Sequence, residues 1–362
     1  MATIASSCCN AGVREQPAPL LLSWAEVSES ADWSGLLVGN GSSISIWPSF
    51  RYDSLFGVAA SRQVPHPLAE QDARLFEAFE TENFEQVLAA LKTAGLVATA
   101  LDLDVDTLEE RYDSIQRALF EAVHAVHVPW EQVGVKTIPR LFEALREYKF
   151  VYSTNYDLLL YWASMERGGR KFLDYFWGNG TTFNPLDTKI WTIREDWTRI
   201  LFLHGGVHLR RLRSGGTRKI TTSEGSILEQ FETGYSGGES PLLVSEGESV
   251  DKLASIRSSD YLSFALQMFT SHQGGLVVFG HSLSEEDDHL VVPMQSWHGN
   301  VVAISMRPHE DEERIVKEQD RYRSRLSPMK DILFFDSTTH PLGDPGLAAK
   351  KRTLLFGRAR RS

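Results

Sequence analysis

Residues 149–160 read KFVYSTNYDLLL. Phe150, Val151 and Tyr152 have the apolar, β-prone character of a buried strand. Ser153 and Thr154 end it, and Leu158, Leu159, Tyr161 and Trp162 already follow a helical pattern. A strand that turns at once into a helix is the unit of an open α/β sheet, and the carboxyl end of a parallel strand faces the ligand crevice of such a sheet. Asn155 and Asp157 are the polar side chains at that rim. Asn and Asp also serve as ordinary turn and cap residues, so this corner gains weight only from others like it.

Upstream, Gly35 to Val38 (GLLV) reads as a short strand that runs into Gly39-Asn40-Gly41-Ser42-Ser43, followed by Ile44 to Trp47. Glycines at such a corner let backbone N–H groups approach a phosphate, because no Cβ intervenes. The dinucleotide fingerprint of dehydrogenases needs a third glycine and an acid about 20 residues further on. Ile44 stands where that glycine belongs, and the region near Ala59 to Gln63 offers neither a second strand nor an acid, which disfavours an ordinary hydride-transferring dehydrogenase.

From about His66 to Tyr148 the pattern is helical. Leu75, Phe76 and Phe79 have helical spacing, as do Phe84, Val87, Leu88 and Leu91. Asp106 and Glu109 fit a capping box ahead of the stripe Leu108, Tyr112, Ile115, Leu119, Val123 and Val126, and a further helix is expected to start at Pro139. His124 and His127 lie three apart and read as partly exposed surface histidines.

After the Asn155 corner, an aromatic stretch holds Phe172, Tyr175, Phe176 and Trp177, and Gly178-Asn179-Gly180 reads as a turn. Ile200 to Leu203 is a strand that delivers His204-Gly205-Gly206. Val207 to Thr221 suggests a hairpin around Ser214-Gly215-Gly216. Leu242 to Val244, ended by Ser245-Glu246-Gly247, is a further strand, and one helix is expected from Ser249 to about His272. Leu276 to Phe279 then runs into Gly280-His281-Ser282, Glu285 to Asp288 open a helix, and Val301 to Ile304 and Ile332 to Phe335 are the last strands. Strands alternating with helices predict an α/β, Rossmann-like, doubly wound and mostly parallel sheet with a helical insertion at about 66–148.

The composition sets outer limits. With 362 residues, 42% of them hydrophobic, the chain can bury a large core. A formal charge of −11 disfavours a nucleic-acid surface spread over the molecule, although the tail from Lys350 to Arg361 (KKRTLLFGRARR) is locally basic and could serve nucleic acid or a partner. No apolar run reaches the about 18 residues of a membrane span, and the start of the chain lacks a basic n-region, so a cytoplasmic protein is expected. The two cysteines, Cys8 and Cys9, are adjacent and can build neither a disulfide framework nor a four-cysteine zinc site.

In order, GNGSS, TNYD, HG and GHSL resemble the corners of the sirtuin (silent information regulator) family: a glycine corner, a TQNxD-like corner, the histidine-glycine pair and a GTSL-like corner. The likeness covers roughly Leu36 to Met306 and looks closest to bacterial sirtuin-like domains of antiviral defence, which hydrolyse NAD. The resemblance implies that Gly39, Asn40, Gly41, Ser42, Thr154, Gly280 and Ser282 approach NAD, with the first glycines and Ser42 near the pyrophosphate and Ser282 at a phosphate. It further implies that Asn155 and His204 flank the nicotinamide ribose and that Asp157 orients the site, with NAD as the substrate and no metal. Two departures stand out: Asn40 replaces a small apolar residue, and Ser305-Met306 replace the Asn and acid that often hold the adenosine ribose. The implied domains are an N-terminal extension (1–30), the NAD-binding domain (31–306) and a C-terminal segment with its basic tail (307–362). The implied reaction is cleavage of NAD to nicotinamide and ADP-ribose, gated by a homo-oligomer or a protein partner. The alternatives are a silent NAD or ADP-ribose binder and, against the missing zinc cysteines, a protein deacylase. His208, His281 and His289 are read as ordinary histidines.

Overall fold

The computed structural model describes residues 20–349, apart from 52–54, 62–63, 178–180, 186–195, 213, 222–226, 229–238, 245–247, 298–299 and 330. At its centre lies β1 (Trp33–Val38), buried along its whole length, which is why WSGLLV shows no polar–apolar alternation. On one side β1 pairs in parallel with β2 (Phe150–Ser153), which pairs with β4 (Thr198–Phe202), which in turn holds the short edge strand β3 (Phe172–Leu173). On its other side lie β8 (Gly275–Phe279), β9 (Val302–Met306) and β10 (Ile332–Asp336), again all parallel.

The strand order is β10-β9-β8-β1-β2-β4-β3: it runs outward from β8 to β10 on one side, and on the other from β1 to β2 and then to the edge strand β3 before returning to β4 between them. Right-handed crossovers then place the connecting helices of the two halves on opposite faces, the doubly wound α/β arrangement that the sequence predicts. The order reverses between β1 and β8, the topological switch point of the sheet. The sheet also continues past Met306 to Asp336 through β10.

A second, antiparallel sheet has the order β6-β5-β7, from β5 (Gly205–Arg211), β6 (Thr217–Lys219) and β7 (Ser240–Leu243). The expected hairpin is β5–β6, and Gly215 takes the positive φ of 90° that its turn requires. The strand expected at Leu242–Val244 belongs to this small sheet, because it pairs with β5 and not with the parallel strands.

The insertion is helical, as expected: Glu70–Ala78, Phe84–Ala100, Asp106–Val126 and Thr137–Arg146. Four local expectations need correction. Asp106 is the first residue of its helix, so the Asp106–Glu109 capping box does not form, and the Asp106 N–H donates instead to Asp104 Oδ1 (3.0 Å). Pro139 is the third residue of its helix, two after Thr137. The single helix expected from Ser249 to about His272 is two, Ser249–Arg257 and Asp260–Thr270, because Ser259 Oγ accepts the Leu262 N–H and starts a new helix. Residues 20–30, assigned to an extension, pack onto the sheet: Leu22 bridges Phe335, a Ser23–Glu26 capping box starts the Trp24–Ser28 helix, and Val27 is fully buried. Cys8, Cys9, Gly178-Asn179-Gly180, Ser245-Glu246-Gly247 and the basic tail lie outside the described residues.

Candidate functional site

Two chain corners cross at the switch point. Gly39 N–H donates to Phe279 O (2.9 Å) and Gly41 N–H to Gly280 O (2.8 Å), while the helix Asn40–Ile46 begins at once after β1. A Cβ on Gly39 would lie 2.6 Å from His281 Cα, and one on Gly41 2.8 Å from Gly280 O. Gly280 has φ +65°, and a Cβ there would run into the amide nitrogen of Ser42. The glycines therefore let two backbones touch. The Gly39, Gly41 and Ser42 amides that were expected to face a phosphate are spent on Phe279 O, Gly280 O and Gly39 O.

The corner after β2 is held from several directions. Thr154 N–H donates to Val38 O (3.1 Å), tying it to β1. The Asn155 amide Nδ2 donates to Gly39 O (3.2 Å) and to Ser43 Oγ (2.9 Å), and the buried Oδ1 has no partner among the described residues. Ser43 Oγ in turn donates to Asp157 Oδ2 (2.6 Å), and Asp157 Oδ1 accepts the Leu159 N–H (2.8 Å), the start of the helix Leu159–Met165. Burial pushes the Asp157 carboxyl up, against the pull of those two hydrogen bonds. Asp157 thus orients Ser43 and Ser43 orients Asn155, an indirect form of the expected orienting role.

His127 corrects the surface reading of that residue. It is buried, accepts the Leu158 N–H on Nε2 (2.9 Å), and its Nδ1 bonds to Val128 O (2.8 Å), so the insertion braces the Asn155 corner. Burial lowers it to about 4, which keeps Nε2 an acceptor. His124 is exposed, as expected.

His204 lies in the turn between β4 and β5, where Leu203 N–H reaches Ser153 O and Val244 N–H reaches His204 O (2.8 Å each). A cavity of about 470 Å³ opens between these corners. It is lined by Asn40, Gly41, Thr154, Asn155, Asp157, His204, Gly280 and Ser282 of the expected set, and Gly39 and Ser42 are not part of the lining. Phe50, Lys252, His281 and Asp287 also line it, and the sequence reading assigned them no role.

These additions form one buried cluster with His204. Its Nε2 lies 2.8 Å from His289 Nε2, and the ring centroids are 5.0 Å apart, so the imidazoles meet end to end and do not stack. His289 Nδ1 bonds to Ser249 Oγ (3.2 Å), which also accepts the His289 N–H (2.8 Å). Asp287 Oδ1 accepts from Lys252 Nζ (3.0 Å), and Oδ2 lies 3.9 Å from His281 Nε2. Burial holds His204 well below the usual histidine range, with His289 adding to this and Asp287 opposing it. Burial likewise takes His289 to about 4. Burial alone would raise Asp287, but His281, His204 and Lys252 outweigh it and keep the carboxylate charged. His208 is a core histidine stacked on Tyr161 (4.5 Å), whereas His281 lines the cavity and His289 is bonded to His204, contrary to their ordinary reading.

His204, Asp287 and His289 bring ligand-type atoms within 4.8 Å of one another. Two nitrogens at about 2.0–2.1 Å from a tetrahedral metal would stand about 3.3 Å apart. The observed 2.8 Å is a hydrogen bond, and Lys252 already occupies one Asp287 oxygen. The donor set as arranged fits a proton network better than a coordination shell.

Fold and site together define a Rossmann-like α/β protein with a polar cavity at the carboxyl ends of its parallel strands. A family model described as a domain of unknown function (DUF4917) matches residues 36–342, and the chain belongs to that family. No curated protein matches the chain. Among solved structures it is similar to Sir2Tm bound to a propionylated peptide, at 11% identity over 88% of this chain and 92% of that chain, with a TM-score of 0.37. It is also similar to a Sir2 mutant with p53 peptide and NAD, at 13% identity over 83% of this chain and 95% of that chain, with a TM-score of 0.33. Likenesses this distant carry no argument about activity, and the fold class stands on the strand order itself.

Proposed function

We propose that the chain is an NAD glycohydrolase that cleaves NAD to nicotinamide and ADP-ribose in the cavity at the switch point. The observation that carries this reading is Asn155, a residue of the cavity lining: its Nδ2 is fixed by Gly39 O and Ser43, and its buried Oδ1 has no partner among the described residues. A buried acceptor held this firmly suits a ribose hydroxyl or an attacking water. Nicotinamide departs as a neutral molecule from a cationic nitrogen, so the site must support an oxocarbenium-like centre and remove one proton from water. His204, held neutral by burial, is the base for that proton. The motif order GNGSS, TNYD, HG and GHSL supports the nicotinamide end of this assignment. NAD depletion in antiviral defence is the biological role the resemblance suggests. The chain's two cysteines count against a deacylase with a four-cysteine zinc module.

The test compares Asn155→Ala and His204→Ala with the wild type for NAD turnover, NAD affinity and melting. The expected result is turnover lower by about 100-fold or more in both, with folded protein retained. Wild-type turnover in both variants would remove the site assignment.

A further inference from the structure

The base assigned to this cavity does not stand alone, and its partner comes from a distant element. His204 follows β4, whereas His289 is the second residue of the helix Asp288–Gln295. Nothing in the sequence places them together. Both rings are buried and joined by Nε2···Nε2 at 2.8 Å in an end-to-end geometry, so one proton lies between two nitrogens. With His204 Nε2 engaged there, Nδ1 is the ring nitrogen left for a ligand.

We propose that His289 is a positioning residue for His204: their hydrogen bond fixes the His204 ring and lets the two imidazoles accept one proton as a unit. The proposal rests on the hydrolase reading for its catalytic consequence, but the shared proton is a property of the chain itself. In the step, the water oxygen forms a bond to the anomeric carbon of the nicotinamide ribose. The glycosidic C–N bond breaks, and its electron pair neutralises the pyridinium nitrogen. The water proton passes to His204 Nδ1, while the His204 Nε2–H is shared with His289 Nε2. Ser249 Oγ receives the His289 Nδ1–H at the far end. The groups facing this pair are Asp287, Lys252 and His281 around both rings, with Asp288 beside His289. Among them the Asp287 carboxylate favours the added charge and Lys252 opposes it. A pair coupled this way titrates as a unit and not as two independent histidines.

The experiment uses the full chain in three forms: wild type, His289→Leu and His289→Gln. Imidazole ¹⁵N NMR reads the tautomer and titration of His204 whether or not NAD is turned over. Steady-state kinetics with NAD reads kcat, KM and the pH profile. In His289→Leu, kcat is expected to fall by about 10- to 100-fold with KM changed less than about twofold, and the acid limb to move away from its wild-type position, because the His204 imidazolium has lost its acceptor. In His289→Gln the side-chain oxygen can accept at the same place, so most of kcat and the limb should return. The wild-type spectra should show coupled titration of the two rings, lost in the Leu variant. A folded Leu variant with wild-type kcat and acid limb, or wild-type spectra in which His204 and His289 titrate independently, would overturn the proposal. So would one equivalent of divalent metal in the purified protein that is lost on His289→Leu, since a coordination shell would then replace the hydrogen bond. Coupled titration in a wild type that leaves NAD intact would sink the hydrolase reading and leave the pair standing.

Discussion

Gly280→Ala separates two reasons for the glycines at the switch point. If they serve the crossing of β1 and β8, the substitution costs stability; if they serve a ligand phosphate, it costs binding. Gly280 adopts φ +65°, where an L-residue is disfavoured by about 1–2 kcal/mol. Its Cβ would also collide with the Ser42 amide nitrogen and the Gly41 backbone, neither of which can swing aside as a side-chain end would. Overpacking of that kind adds about 1–3 kcal/mol, for a total of about 3 kcal/mol. With an unfolding entropy of about 2.1 cal/mol/K per residue, a chain of 362 residues should lose roughly 4 °C in Tm. Calorimetry at constant pH gives the shift, and urea unfolding should show a lower midpoint at unchanged slope. A variant that melts like the wild type but binds NAD poorly would refute the crossing argument.

Removing the ammonium in Lys219→Met strands the buried Asp174 carboxylate, its ion-pair partner, and should cost about 3–5 kcal/mol by urea unfolding; adding Asp174→Asn should recover most of it, and no recovery would contradict the pairing argument. His127 is lowered to about 4 in the folded chain against about 6.5 when unfolded. Below pH 6.5 the unfolded chain therefore binds a proton that the folded chain refuses, so stability falls as pH drops towards 4, by about 2 kcal/mol at pH 5 from this residue. His127→Gln should lose less than the wild type between pH 7 and pH 5, and an equal loss would mean that His127 is not the sensitive group. If the chain forms a homo-oligomer or binds a partner through the insertion, the exposed apolar residues Leu96, Val97, Leu101 and Leu103 are the expected contact. Mass and NAD turnover measured across a concentration series should change together and respond to Leu96→Glu, whereas a monomer with constant activity would remove that placement.

The parts of the site legible in the sequence were those written by local rules. β2, β4 and β8 are short apolar runs, and their ends carry Asn155, His204 and Ser282 into one cavity. What was not legible depends on distant partners. His127 looked like a surface residue because its purpose is the amide of Leu158, 31 positions away. His289 and Ser249 are 40 positions apart, and Lys252 and Asp287 35, so no spacing rule joins them. The glycine corner reads in the sequence as a phosphate site, whereas its close approach to the Gly280 backbone is invisible to periodicity.

Hydrolysis of NAD in this cavity is read out by product analysis with ¹H NMR. Wild-type protein is incubated with NAD across a protein concentration series, with and without an acetyl-lysine peptide. The account predicts equimolar nicotinamide and ADP-ribose, independent of peptide and abolished in Asn155→Ala. Intact NAD at every concentration, or nicotinamide that appears only with peptide and together with a deacylated product, would contradict it.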